Sequence, residues 1–261
     1  MTGAAFFDLD KTILAKSSSL AFAKPLYQGG LIGRSAVLKS AYAQFVYLTS
    51  GADHDQMEQM RAYMQALCAG WSVEQVRQIV ADTLDEVVDP IVYTEAMELI
   101  AAHQEAGRDV IVISSSGTEI VEPICARLGV DHAVGTQMVI DDDGRYTGDI
   151  LFYAYGENKA VAMRALAEES GYDLSESYAY TDSFTDLPML DLVGHPVAVN
   201  PDDELRATAK ERRWPITDFD TPEAMLDKAK TRQDRTRLAA GSAAAAVALG
   251  VAWYARRVRA R

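Results

Sequence analysis

Read as hydrophobic and polar positions, the chain opens on a short apolar run, Ala4-Ala5-Phe6-Phe7, that ends in Asp8-Leu9-Asp10. A run this short, closed by acids, predicts a buried parallel strand with polar groups at its C-terminal end. From Ser17 to Val88 only helical periodicity follows, with predicted helices over 18–28, 34–49, 55–69 and 73–87, punctuated by Gly29-Gly30, Gly51 and Gly70. Ser72 followed by Gln75 resembles a capping box at the start of the last of these. After Asp89-Pro90 strands and helices alternate: helix 91–105 up to Gly107, strand 109–113 running into Ser114-Ser115-Ser116-Gly117, then a helix to Leu128. Residues 133–153 alternate around Asp141-Asp142-Asp143-Gly144, which predicts a β-hairpin. Helix 157–170, strand 178–181, a turn at 182–186, strand 196–199 and helix 202–212 complete the rhythm, with no repeat at a solenoid period. The expected fold class is α/β: a Rossmann-like parallel sheet with an all-helical insertion after its first strand. Residues 1–16 and 89–220 form the expected core, 17–88 the insertion and 221–261 a tail.

Composition agrees with a packed body. The 261 residues are 49% apolar and 24% charged, enough to bury a core and too apolar for a disordered polyelectrolyte. A net charge of −13 argues against a general nucleic-acid binder, which needs a basic face. The charge is uneven, however. From Arg232 onward seven arginines face one acid, a local +6 that leaves −19 on the first 231 residues. Inside that basic end, residues 238–255 form an uncharged stretch of 18 residues, about 27 Å long as a helix. Trp253 and Tyr254 beside Arg256 and Arg257 read as an interfacial anchor. The expectation is a membrane helix tethering a cytoplasmic catalytic body. An alanine-rich soluble tail is the alternative, and arginine on both sides leaves the orientation open.

Cys68 and Cys125 lie far apart, and no secretory pattern follows Met1, so both are expected as buried thiols of a cytosolic fold. The four histidines stand singly, without zinc-site spacing, so any metal is expected on oxygen ligands.

Asp8 and Asp10, at i and i+2, project to one side of an extended chain, and Thr12 follows them. Alone, this pattern fits a helix N-cap or a calcium-like acidic loop as well as a catalytic pair. Three further segments keep it company: the strand entering Ser114, Lys159 in Gly156-Glu157-Asn158-Lys159, and Thr181-Asp182-Ser183-Phe184-Thr185-Asp186. In this order they resemble the haloacid dehalogenase superfamily of phosphohydrolases. Its first motif matches Phe6-Phe7-Asp8-Leu9-Asp10-Lys11-Thr12, its second Ser114, its third Lys159, and its fourth Asp182 through Asp186-Leu187-Pro188-Met189-Leu190. The resemblance spans about residues 4–215 and is nearest to the phosphoserine-phosphatase-like branch, subfamily IB, in which the helical insertion is a C1 cap.

That resemblance implies Mg²⁺-dependent hydrolysis of a small phosphomonoester through an aspartyl-phosphate. Asp8 is the implied nucleophile, and Asp10 the acid that protonates the leaving oxygen and then activates water. Ser114, Ser115, Thr12 and Lys159 are the implied contacts to the phosphoryl oxygens. The Asp8 carboxylate, the Asp10 backbone carbonyl and Asp182 are the implied Mg²⁺ ligands, with Asp186 acting through water or orienting Lys159. Two departures bear on the substrate. Ile13-Leu14-Ala15-Lys16 lacks the acid that meets a substrate ammonium in this branch, and Ser114-Ser115-Ser116-Gly117 stands where Ser-Gly-Gly is usual. Alternatives are a membrane-tethered phosphatase for lysophosphatidate-like lipids and a non-catalytic phospholigand-binding regulator. Asp10-Lys11-Thr12 is shared with P-type pumps, but one candidate span cannot form a transport path. Residue by residue, Lys159 could be an exposed helix lysine, Asp186 the N-cap of helix 187–190, and Ser114 a helix cap.

Overall fold

The structure is a computed structural model that describes residues 2–33, 61–62 and 65–220. The short apolar run forms β1 (Ala5–Phe7), and every residue of it is buried. It lies near the middle of a seven-stranded sheet, ordered β4-β3-β2-β1-β5-β6-β7, with β2 at Val110–Gly117, β3 at His132–Ile140, β4 at Tyr146–Phe152, β5 at Tyr178–Thr181, β6 at His195–Val199 and β7 at Ile216–Thr217. All neighbours run parallel except the β3–β4 hairpin. A central parallel strand meets protein on both faces, which is why β1 is apolar throughout. Phe6 joins one layer with Ile111, Ile113, Ala179, Met163 and Leu205. Phe7, on the opposite face, stacks on Tyr180 at 4.3 Å.

Register decides where the chemistry collects. Phe7 pairs with Val112 on β2 and with Tyr180 on β5, so Asp8 leaves the sheet level with the residues entering Ser114 and with Thr181-Asp182. These strand ends form the carboxyl edge at which open α/β sheets hold ligands.

The helices lying wholly within the described residues are α1 (Ser18–Ala21), α2 (Ala23–Gln28), α3 (Val73–Val88), α4 (Thr94–Glu105), α5 (Thr118–Leu128), α6 (Glu157–Ser170), α7 (Leu187–Leu190) and α8 (Asp203–Arg212). The helix expected over 18–28 is interrupted at Phe22, whose side chain is fully buried. At α3 the Ser72 hydroxyl accepts from the Gln75 backbone N–H, half of a capping box. The Gln75 amide turns away instead and donates to the Gly29 carbonyl, tying α3 to the end of α2. The expected helix 34–49 and most of 55–69 fall outside the described residues.

Two differences from the sequence reading matter for the site. The second strand continues through the serines to Gly117, with a register shift between Ile113 and Gly117. An irregularity of this kind re-aims side chains at a functional edge. The first hairpin strand also joins the main sheet, pairing parallel with β2 before it turns back at Asp141–Gly144 into β4. Among the described residues no helix is long and apolar enough to cross a membrane; the stretch 238–255 lies outside them.

Candidate active site

The site is built from the ends of β1, β2 and β5 and the first turn of α6. Beyond Asp10 the chain turns through Lys11, whose φ of 62° is in the left-handed region that non-glycine residues rarely adopt. This turn lets Leu9 accept from the backbone N–H groups of Ile13 and Leu14. It also sets the Thr12 hydroxyl as donor to Asp8 Oδ2 at 3.4 Å.

Lys159 enters from α6, which starts at Gly156 with φ 55° and ψ −125°, a backbone shape that a Cβ disfavours. Its side chain is 3% exposed. The ammonium donates to Asp8 Oδ1 at 2.6 Å and to Asp186 Oδ2 at 2.7 Å. Asp186 Oδ2 also accepts from the Thr181 hydroxyl at 2.7 Å. Lys159 is therefore a buried cation with two carboxylate partners, not an exposed helix lysine. Asp186 does stand at the N-cap of α7, but its side chain makes no cap hydrogen bond there. It is spent on Lys159 and Thr181.

Electrostatics follow from this packing. Burial pushes Asp8 up to about 7, although the Lys159 charge pulls it back down. Burial and then the charge of Asp8 push Asp182 up to about 8, with Lys11 opposing from 3.8 Å. Burial also raises Asp10. For Lys159 burial works against the charge, yet the attraction of Asp186 and Asp8 wins and holds it above the ordinary lysine range.

The serine loop sorts its three hydroxyls. Ser114 and Ser116 are buried while Ser115 is exposed. Ser114 Oγ accepts from the Ser116 backbone N–H at 3.2 Å. The Ser115 carbonyl accepts from the Thr136 hydroxyl at 2.8 Å, which ties the loop to β3. Asp10 is held on both oxygens: Oδ1 accepts from the Ser18 backbone N–H at 2.8 Å and Oδ2 from the Ser116 hydroxyl at 3.4 Å. The sequence reading assigned Ser114 and Ser115 to the phosphoryl oxygens, with Ser115 and Ser116 as competitors for the role of Ser114. The one sequence signal of Ser116 is its place in a serine run at a strand end.

Among the described residues no three His, Cys, Asp or Glu side chains are grouped to hold a metal. A site with one backbone-carbonyl ligand needs only two such side chains, and the charge of Asp8 bears on Asp182. Both are buried oxygen donors, and burial is the largest cause that raises each. Such a donor set fits a hard divalent cation such as Mg²⁺.

The profile of haloacid dehalogenase-like hydrolases matches residues 5–191. A Streptomyces azureus protein named for inhibition of morphological differentiation is 57% identical over 98% of this chain and 94% of its own length. A probable phosphatase of Mycobacterium tuberculosis is 57% identical over 86% of this chain and 78% of its own. A phosphoserine phosphatase of the same bacterium is 36% identical over 84% of this chain and 71% of its own. With the motif segments gathered on one sheet edge and these similarities spanning most of the length, the chain belongs to the haloacid dehalogenase-like hydrolases, as one of the family's phosphatases.

Proposed function

We propose that the chain hydrolyses a small phosphomonoester through a phosphorylated Asp8, in the manner of phosphoserine phosphatases. One observation carries this reading: the buried Lys159 ammonium that bridges Asp8 and Asp186. A carboxylate that must attack a phosphate dianion needs part of its charge screened without being locked away, and a shared lysine does this. In the first step a carboxylate oxygen of Asp8 bonds to phosphorus and the ester P–O bond breaks. The departing oxygen takes its proton from Asp10, whose burial keeps that proton available. In the second step water bonds to phosphorus, gives a proton to Asp10 and releases phosphate with the Asp8 carboxylate restored. The sum is ester plus water to alcohol plus phosphate.

Lys159 and the Ser114 hydroxyl hold the phosphoryl oxygens. Because Ser114 Oγ accepts from Ser116 N–H, its own proton is available to substrate. Thr12 steadies Asp8, Asp186 keeps Lys159 in place, and exposed Ser115 lies on the solvent side. When held by Asp8, Asp182 and the Asp10 carbonyl, Mg²⁺ supplies the positive charge that offsets the negative charge of the reacting phosphoryl group. Residues 17–88 act as the cap that selects the alcohol. The name of the 36% identical relative makes phosphoserine the first substrate to assay.

The test is a panel of metabolite phosphates assayed with Mg²⁺ for the wild type and Asp8→Asn. The expected result is at least about a 100-fold loss for the variant on every substrate turned over. An Asp8→Asn enzyme that keeps its activity overturns the reading.

A further inference from the structure

The site leaves one group of side chains without a task. Ser116 Oγ lies 2.7 Å from Ser18 Oγ, 2.9 Å from Ser19 Oγ and 3.4 Å from Asp10 Oδ2. Ser18 and Ser116 are both buried. A hydroxyl has one proton to give and two lone pairs to receive with. Once Asp10 has released its proton the carboxylate can only accept, so Ser116 then donates to Asp10 Oδ2, with the Ser18 and Ser19 hydroxyls within hydrogen-bond distance of Ser116 Oγ. Each bond in such a chain polarises the next. The other oxygen, Asp10 Oδ1, accepts from the Ser18 backbone N–H. Asp10 is thus gripped from two directions, by the first helix of the insertion and by the irregular end of β2.

We infer that Ser116 is a positioning residue for Asp10, with Ser18 and Ser19 locking its hydroxyl so that the carboxyl points at the leaving oxygen. The inference rests on the reading of Asp10 as the group that protonates that oxygen. Ser116 acts through Asp10, whose Oδ2 its hydroxyl meets. Its effect is confined to steps in which Asp10 moves a proton, so its loss is felt most when the leaving alcohol is a poor one. The arrangement also makes the acid sensitive to the insertion, because two of the three hydroxyls come from α1.

The experiment compares kcat/KM, which reports the steps through phosphoryl transfer to Asp8, for an alkyl phosphate and for 2,4-dinitrophenyl phosphate, whose leaving group needs no proton. Wild type, Ser116→Ala and Asp10→Asn are measured as full-length chains with Mg²⁺. Expected for Ser116→Ala is a loss of about 10-fold or more on the alkyl ester and under about 3-fold on the dinitrophenyl ester. Asp10→Asn shows the same selectivity at larger amplitude. Equal losses of Ser116→Ala on both esters, or no loss on either, overturn the inference while leaving Asp10 in its role. An Asp10→Asn variant without selectivity overturns both. Should Ser116→Ala fail to fold, the Ser18→Ala, Ser19→Ala double variant removes the hydroxyls that lock Ser116 and is judged by the same ratio.

Discussion

Two clusters in this chain share the same chemistry and nearly the same distances. Around Lys159, an ammonium meets Asp8 at 2.6 Å and Asp186 at 2.7 Å. Around Arg127, a guanidinium meets Asp89 at 2.9 and 2.7 Å and Asp85 at 3.2 Å. The first is buried between sheet and α6, whereas the second links the end of α3 to α5 on the surface, with its side chains 38% to 72% exposed. Water screens the second pair almost completely, so its geometry says little about energy. In the first, desolvation makes every charge depend on its neighbours, and removing one partner strands the others. Burial, rather than distance, separates the two clusters.

Breaking the comparison starts with its largest effect. Lys159→Met leaves the Asp8 and Asp186 carboxyls facing each other without a cation, and the expected cost is about 3 kcal/mol or more in urea unfolding, together with loss of phosphatase activity. A variant as stable as the wild type would show that the buried bridge matters no more than the exposed one.

A smaller effect has the opposite sign. Asp8 is raised to about 7 in the fold and lies near 3.8 when unfolded. The folded chain therefore binds more protons than the unfolded one between those values. Its contribution to stability is complete below pH 3.8 and is lost as pH rises through about 7. Without metal, Asp8→Asn removes this loss, so the variant gains on the wild type between pH 5 and pH 8, reaching on the order of 1 kcal/mol or more at pH 8. Melting temperatures of both proteins across that range, with chelator present, check it. Comparing variant with wild type also cancels His103, which burial lowers to about 4 and which destabilises the fold as pH falls from 6.5. A widening gap in the reverse direction would contradict the electrostatics of the site.

The smallest effect is on the surface. Arg127→Ala is expected to leave activity unchanged and the melting temperature within about 2 °C of wild type. A larger drop would mean that the α3–α5 link does more than exposed ion pairs ordinarily do.

The His103 neighbourhood shows how a polar group joins a core. Arg108 Nε donates to His103 Nδ1 at 2.8 Å, so the ring's proton is on Nε2 and is donated to the Tyr180 hydroxyl at 2.7 Å. This fixes a neutral tautomer, in agreement with its lowered pKa. From the sequence His103 was one of four unplaced histidines, since neither Arg108 nor Tyr180 is recognisable as its partner before the sheet is assembled.

Legibility followed locality. Helix 157–170, strand 178–181 and the hairpin turn were readable because periodicity, Gly156, Gly171 and the Asp141–Gly144 run are signals carried within a few residues. The break at Phe22 was not read, although Pro25 is a local signal for it, having no N–H to give the Ala21 carbonyl and crowding that carbonyl with its ring. Nor was the extension of β2 to Gly117, because three serines carry no strand signal and the extension is held by Thr136 of β3, which pairs with Gly117 and donates its hydroxyl to the Ser115 carbonyl. In the site, Asp8, Asp10, Lys159, Asp182 and Asp186 were all legible as candidates from their spacing and order. Their partners were not.

The sequence by itself determined which segments carry candidate site residues and the order in which an alternating fold delivers them to one sheet edge, because strand and helix patterns are short-range properties of the chain. Only the tertiary structure decided that Asp186 serves Lys159 instead of capping α7, that Ser114 and Ser116 turn inward while Ser115 turns out, and that Asp10 is shared by two distant elements. Those outcomes depend on contacts such as Lys159 to Asp8, 151 positions apart, and Ser116 to Asp10, 106 apart. Strand register sets such distances, and it exists only once the strands have paired.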